Sequence, residues 1–166
     1  MEAALKTLLL MRHAKSDWDD RSLADHDRPL APRGERDAPR MGQLIQAEGL
    51  IPDVILCSTA ARTRQTAAGL FTVWGDFADI KYQRELYHGD LLDYREALQS
   101  LPASVQRAML IGHNPTSEYL VQALTSQNER MPTAALAYIE LGIDSWADLS
   151  DDGSGILRKL WRPRAL

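Results

Sequence analysis

Thr7–Asp19 reads TLLLMRHAKSDWD, and its chemistry changes in one step. Leu8, Leu9, Leu10 and Met11 form an unbroken apolar run. A short, bounded run of this kind fits a strand buried on both faces, as in a parallel sheet. Arg12, His13, Ala14, Lys15 and Ser16 follow at once. A buried strand that ends in an arginine and a histidine needs a partner for its charge. The partner expected here is an anion.

Working outward, Trp18–Pro32 is a polar loop that holds Asp25, His26, Asp27 and Arg28. Arg33–Glu48 is expected to be a helix that starts late or kinks, because Gly34 and Pro39 weaken its first half. Gly49 is its expected stop, with Pro52 beyond. Asp53–Cys57 is a second buried strand. Ser58 or Thr59 is placed to cap the following helix, Ala60–Phe71. After a turn at Gly75–Asp79 come a weaker strand, Ile80–Leu86, and an amphipathic helix, Leu91–Leu101. Arg107–Ile111 is a further buried strand, ended by Gly112. Pro115 suits the first turn of the helix Thr116–Leu124. Leu136–Ile143 and Ile156–Arg162 close the chain as a long-looped antiparallel pair.

This alternation predicts an α/β protein, a three-layer α/β/α sandwich around a mainly parallel central sheet. At 166 residues it is expected to be a single domain spanning 1–166. The net charge of −4 argues against nucleic acid or an anionic membrane as partner. The lone cysteine, Cys57, excludes an internal disulfide and is expected to be a buried thiol. The first residues carry no signal-type apolar core, and no stretch approaches transmembrane length, so a cytoplasmic location is expected.

In open α/β sheets ligands bind beyond the carboxyl ends of the strands. Arg12 and His13 follow the first strand, and Arg62 and Arg64 follow the second. Glu85 ends the third, and His113 follows the fourth. Four separate segments thus bring cationic or titratable groups to one sheet edge. Arginine forks match phosphoryl oxygens, and a neutral imidazole can attack phosphorus. His13 is therefore the expected nucleophile, and Arg12 one clamp of a phosphate pocket. Its attacking nitrogen must be neutral, so the other should donate to a fixed acceptor such as a backbone carbonyl.

These residues also resemble a family. Arg12-His13-Ala14 looks like the Arg-His-Gly signature of the histidine phosphatase (phosphoglycerate mutase-like) superfamily. Ser58–Ala67 resembles its S-x-x-x-R-x-x-Q-T-A segment, Glu85–Gly89 its E-x-x-x-G segment, and Gly112–Pro115 its G-H-N-P segment. Arg12–Trp18, with Asp25–Ala38, is similar to the short SixA-type phosphohistidine phosphatase group. The resemblance implies a phosphoglycerate mutase-like fold and catalysis without a metal or other cofactor. It makes His13 the group that takes the phosphoryl, with Arg12, Arg62 and a protonated or donating His113 on its oxygens. A carboxylate would protonate the leaving group. Glu85 is that acid by position, Asp17 is the reserve, and acid-free members of the group leave a third option. The implied substrate is a protein carrying phosphohistidine. A small phosphomonoester and a catalytically silent phosphate-binding module are the alternatives.

Some residues depart from the pattern or have plainer readings. Ala14 stands for the glycine. Asp19 stands for an asparagine, and beside a phosphate it must face away or be protonated. Lys15 and Ser16 are accessory candidates. Arg64, His26 and His88 are expected to be ordinary surface residues, Trp18 a lid or loop packing group, and Asn114 a brace for its loop. Rival chemistries fail on spacing. A cysteine phosphatase needs five residues between Cys and Arg, and the sixth position after Cys57 is Thr63. Asp17-Trp18-Asp19 comes too late after the strand for an aspartyl-phosphate enzyme. The histidines are too scattered for zinc.

Overall fold

The computed structural model describes residues 5–77 and 79–166. Strands and helices alternate as β1 (Lys6–Arg12), α1 (Pro32–Ala47), β2 (Val54–Ser58), α2 (Ala61–Trp74), β3 (Ile80–Gln83), α3 (Leu91–Gln99), β4 (Arg107–Gly112) and α4 (Thr116–Thr125). Two strands follow, β5 (Leu136–Leu141) and β6 (Ile156–Trp161). All lie in one six-stranded sheet with the order β3-β2-β4-β1-β5-β6. The first four strands are parallel, β5 is antiparallel to β1, and β6 is antiparallel to β5. The layered architecture and the closing antiparallel pair are those expected from the alternation.

The unbroken apolar runs are explained by two cores on opposite sheet faces. Leu8 and Leu10 of β1 point to one face, where Tyr94 and Leu98 of α3 pack with Leu120 and Leu124 of α4. Leu9 and Met11 point to the other, against Met41 and Ile45 of α1 and Ala67 and Leu70 of α2. All four β1 side chains are fully buried, which stabilises the fold by roughly 1.5–3 kcal/mol each.

Two local expectations are corrected. α1 begins at Pro32 and runs through both Gly34 and Pro39. Its buried stripe is Gly34, Ala38, Met41, Gly42 and Ile45, and small residues there permit close packing. A Cβ on Gly34 would collide with the backbone carbonyl of Lys15, and one on Gly69 of α2 would sit 2.6 Å from Ala38 Cβ. Tertiary packing thus outweighs the local helix penalty of glycine and proline. The helix stops where expected, with Gly49 at φ 70°. The third strand is shorter than expected: it ends at Gln83, and Arg84–Leu86 turns into a short 3₁₀ helix. The expected turn at Gly75–Asp79 includes position 78, which lies outside the described residues.

Gly34→Ala tests the packing. Better helix propensity would favour the variant by about 1 kcal/mol. The clash is with backbone, which cannot swing aside, so a net loss of about 1–3 kcal/mol is expected in urea unfolding. Gly142→Ala, which meets open space, should change stability by less than about 0.5 kcal/mol.

Candidate active site

Sheet register builds the site. β1 and β4 pair so that Arg12 faces Gly112, and the next residues are His13 and His113. Their ring centroids lie 5.2 Å apart. β2 pairs with β4 through Cys57 and Ile111, so Ser58 arrives alongside. Its hydroxyl is 2.8 Å from His113 Nε2. Ser58 therefore braces the second histidine, a role that capping did not suggest. The Tyr94 hydroxyl accepts from the His113 backbone N–H at 2.9 Å.

His13 is held with one nitrogen engaged. Its Nδ1 lies 2.7 Å from the Ala14 carbonyl oxygen, which can only accept. The proton of the neutral ring is therefore on Nδ1, and the lone pair is on Nε2. Ala14 is itself fixed, because its N–H donates to Thr66 Oγ1 of α2 at 3.0 Å. Burial pushes the His13 pKa down to about 4, helped by Arg62 and Arg12 against the Ala14 hydrogen bond. Burial, then the charges of His13 and Arg62, takes His113 down to about 3. In the free site both imidazoles are therefore held neutral near pH 7.

A cavity of about 420 Å³ opens over these groups. Arg12, His13, Lys15, Ser16, Arg62 and His113 all line it. Glu85 does not. It is exposed on the 3₁₀ turn after β3 and faces a separate groove with Asp93 and Glu96. The early end of β3 turns the chain before this carboxylate can reach the strand ends. Asp17 is also off the cavity wall; its Oδ1 accepts from the Asp19 N–H at 2.8 Å. Asp19 is exposed and is likewise off the cavity wall. Arg64 lies outside too, with its guanidinium 4.0 Å over the Tyr82 ring.

Among the described residues, the one carboxylate on the cavity wall is Asp25. It belongs to the loop between β1 and α1, which folds back across the site. Asp17 N–H donates to Pro29 O at 2.8 Å, and Leu30 N–H donates to Gln65 Oε1 at 2.8 Å. Arg62 donates to the Asp25 carbonyl at 2.8 Å and to Asp25 Oδ2 at 3.1 Å. The Tyr87 hydroxyl donates to the same Oδ2 at 2.7 Å. Burial alone would raise the Asp25 pKa; the Tyr87 hydrogen bond and the Arg62 charge outweigh it and hold the carboxyl below its ordinary range. Asp25 is thus an anchor for Arg62, kept ionised.

Sequence reasoning passed over Asp25, Tyr87 and Thr133, and set His88 among the surface residues. His88 is exposed but lines the cavity beside the Tyr87 ring, at φ 57°. His26 is tied to Thr59 Oγ1 at 2.8 Å and abuts Tyr87 edge-on. The Asp-x-Asp-Arg-Pro-Leu stretch that carried Asp25 was the available signal. Trp18 lies exposed at the rim, under the Arg28 guanidinium at 4.0 Å, and Asn114 Nδ2 donates to the Met131 carbonyl at 2.9 Å. Among the described residues no group of three or more His, Cys, Asp or Glu side chains could hold a metal ion, and no helix is long and apolar enough to cross a membrane.

Fold and site together define a class: an α/β/α protein that presents two neutral histidines and two arginines at the ends of parallel strands, around an anion-sized cavity. The chain belongs to the histidine phosphatase superfamily (branch 1), whose family model matches residues 8–135. It is 36% identical to an uncharacterised protein of Mycobacterium tuberculosis, over 84% of this chain and 91% of that one. An uncharacterised chloroplastic protein of Arabidopsis thaliana is 32% identical, over 95% of this chain and 78% of that one. Among solved structures, a protein of Nakamurella multipartitia, provisionally named the phosphohistidine phosphatase SixA, superposes with a TM-score of 0.86 at 29% identity, covering 98% of this chain and 99% of that one. A counterpart from Agrobacterium tumefaciens, named in the same way, gives 0.79 at 30% identity, covering 95% and 99%.

The buried neutral histidines set a pH dependence. Between their ordinary pKa of 6.5 and the folded values near 4 and 3, the unfolded chain binds protons that the folded chain refuses. The resulting stability is full above pH 6.5 and is lost as pH falls through that window, by on the order of a few kcal/mol. The thermal midpoint should therefore drop between pH 6.5 and about 5.5, where most carboxylates remain ionised. His113→Asn should flatten the drop. A wild-type midpoint constant over this range would contradict the assignment.

Proposed function

We propose that the chain is a phosphatase that works through phospho-His13, and that its substrate is a protein carrying phosphohistidine. The observation that carries this reading is the commitment of Asp25. The cavity's carboxylate is ionised and occupied by Arg62 and Tyr87, and Glu85 is elsewhere. Among the described residues no uncommitted carboxylic acid lines the cavity to protonate a leaving group. Such a site suits esters and amides of phosphate whose leaving group departs without help. A phosphohistidine does so once its imidazole takes a proton from water, and an alkyl phosphate does not. This chemistry favours phosphohistidine over a small alkyl phosphomonoester.

Arg12 and Arg62 bind the phosphoryl oxygens, with His113 beside them. The free Nε2 lone pair of His13 attacks phosphorus in line with the departing nitrogen, and the phosphorus–nitrogen bond to the substrate breaks. The Nδ1–H bond to Ala14 persists and steadies the ring as positive charge develops on it. Water then attacks the phosphohistidine, phosphate leaves, and His13 returns to its starting tautomer.

The test uses p-nitrophenyl phosphate, a phosphohistidine peptide and an alkyl phosphate, each with chelator present. Wild type should turn over the first two at least 10²-fold faster than the third, since general acid catalysis contributes about 10²–10⁴-fold where it operates. The acid limb of kcat/KM for the aryl phosphate should fall near pH 4, the value to which burial takes His13. His13→Ala should abolish turnover and the acid-labile phosphoenzyme. Glu85→Gln should leave every rate within about twofold. Equal turnover by wild type and His13→Ala would sink the nucleophile; turnover in neither would favour a phosphate-binding module.

A further inference from the structure

A second cavity, of about 310 Å³, adjoins the first and shares Arg12, Lys15 and Thr133 with it. Arg33 from the first turn of α1 and Arg164 from the C-terminal segment complete its cationic wall. Lys15 and Arg33 are half-buried, and Arg164 is exposed at the rim. None of these three side chains makes a hydrogen bond or ion pair within the described structure. Among the described residues the one carboxylate on the wall is that of Asp37, one helical turn beyond Arg33. With Arg12, four cations therefore face a single carboxylate in a protein whose net charge is −4. Phosphoryl transfer at His13 uses neither Arg33 nor Arg164. Cations crowded into a concave site repel one another, and a bound anion relieves that repulsion.

We propose that this second cavity binds a further anionic group of the same substrate, a carboxylate or a second phosphate, while the phosphoryl group to be transferred sits over His13. The inference rests on the phosphatase reading for its first anchor and adds a specificity determinant to it. Lys15 stands between the two anions. Arg33 and Arg164 select substrates that carry the second one. A ligand with two anionic groups gains both anchors for one loss of translational freedom, so its affinity exceeds that of either half. An uncharged flank gains nothing.

Calorimetric titration separates this from the chemistry, because it needs no turnover. The probes are alkanediol monophosphates and the matching α,ω-bisphosphates with spacers of two to six carbons. Wild type should bind at least one bisphosphate tenfold or more tightly than its monophosphate. Arg33→Gln with Arg164→Gln should erase that advantage while leaving monophosphate affinity and p-nitrophenyl phosphate turnover within twofold. Arg36→Gln, an exposed change that lowers net charge without touching either cavity, should retain the advantage. Phosphohistidine peptides flanked by glutamate or by glutamine then identify the source. An arginine-dependent preference for glutamate assigns the site to protein carboxylates, and a preference confined to bisphosphates assigns it to a second phosphate. No advantage at any spacer length, or one that survives in the double variant, overturns the proposal. A bisphosphate preference in a protein that turns over nothing would count against the phosphatase reading alone.

Discussion

The parallel pairing of β1 with β4 is the constraint on which the site depends. Parallel neighbours end on the same side of the sheet, so residues that leave paired positions leave side by side. Arg12 opposite Gly112 puts His13 next to His113, and the Cys57–Ile111 pair brings Ser58 to the same edge. A one-residue slip would invert every side chain of β1 between the two cores. Register is therefore enforced by two hydrophobic faces at once, with Leu8 and Leu10 on one and Leu9 and Met11 on the other. The energy that holds the imidazoles together is the energy of apolar burial below them.

Electrostatics then divides the polar groups by task. The histidines are buried enough to stay neutral, which leaves a lone pair at His13 Nε2. The arginines keep their charge, and Arg62 is aimed by Asp25 rather than neutralised beyond use. Asp25 is in turn held by Tyr87, so one carboxylate fixes a guanidinium from α2 and a phenol from the segment before α3. Removing either donor would leave that anion underpaired in a partly enclosed place, which is unfavourable. The cavity is thus positively biased, and among the described residues the carboxylate on its wall is already engaged by Arg62 and Tyr87.

Much of this was legible in the chain. The run Leu8–Met11 followed by Arg12 and His13 announced a buried strand with a polar end. The same pattern at Asp53–Arg62 and at Arg107–His113 gave the parallel layers and three corners of the pocket. Such signals are local: apolar runs of strand length, turn residues after them, and charge where a core residue would otherwise stand. The helix breakers misled, because Gly34 and Pro39 lie in α1 where close packing against α2 and Lys15 requires small or compact residues.

The carboxylates show where local reasoning ends. Glu85 had the right sequence position but not the right place, because β3 stops at Gln83 and the chain turns away. Asp25 looked like one acid among several in a polar loop. It reaches the cavity because that loop folds back onto β1 and α2, and because residues 37 and 62 positions away hold it there. The sequence by itself determined which groups bring chemistry to the strand ends, since strand period and polarity are properties of neighbouring residues. Only the tertiary structure decided which carboxylate meets them and in which charge state. Both depend on long-range contacts and on burial, which no local pattern encodes.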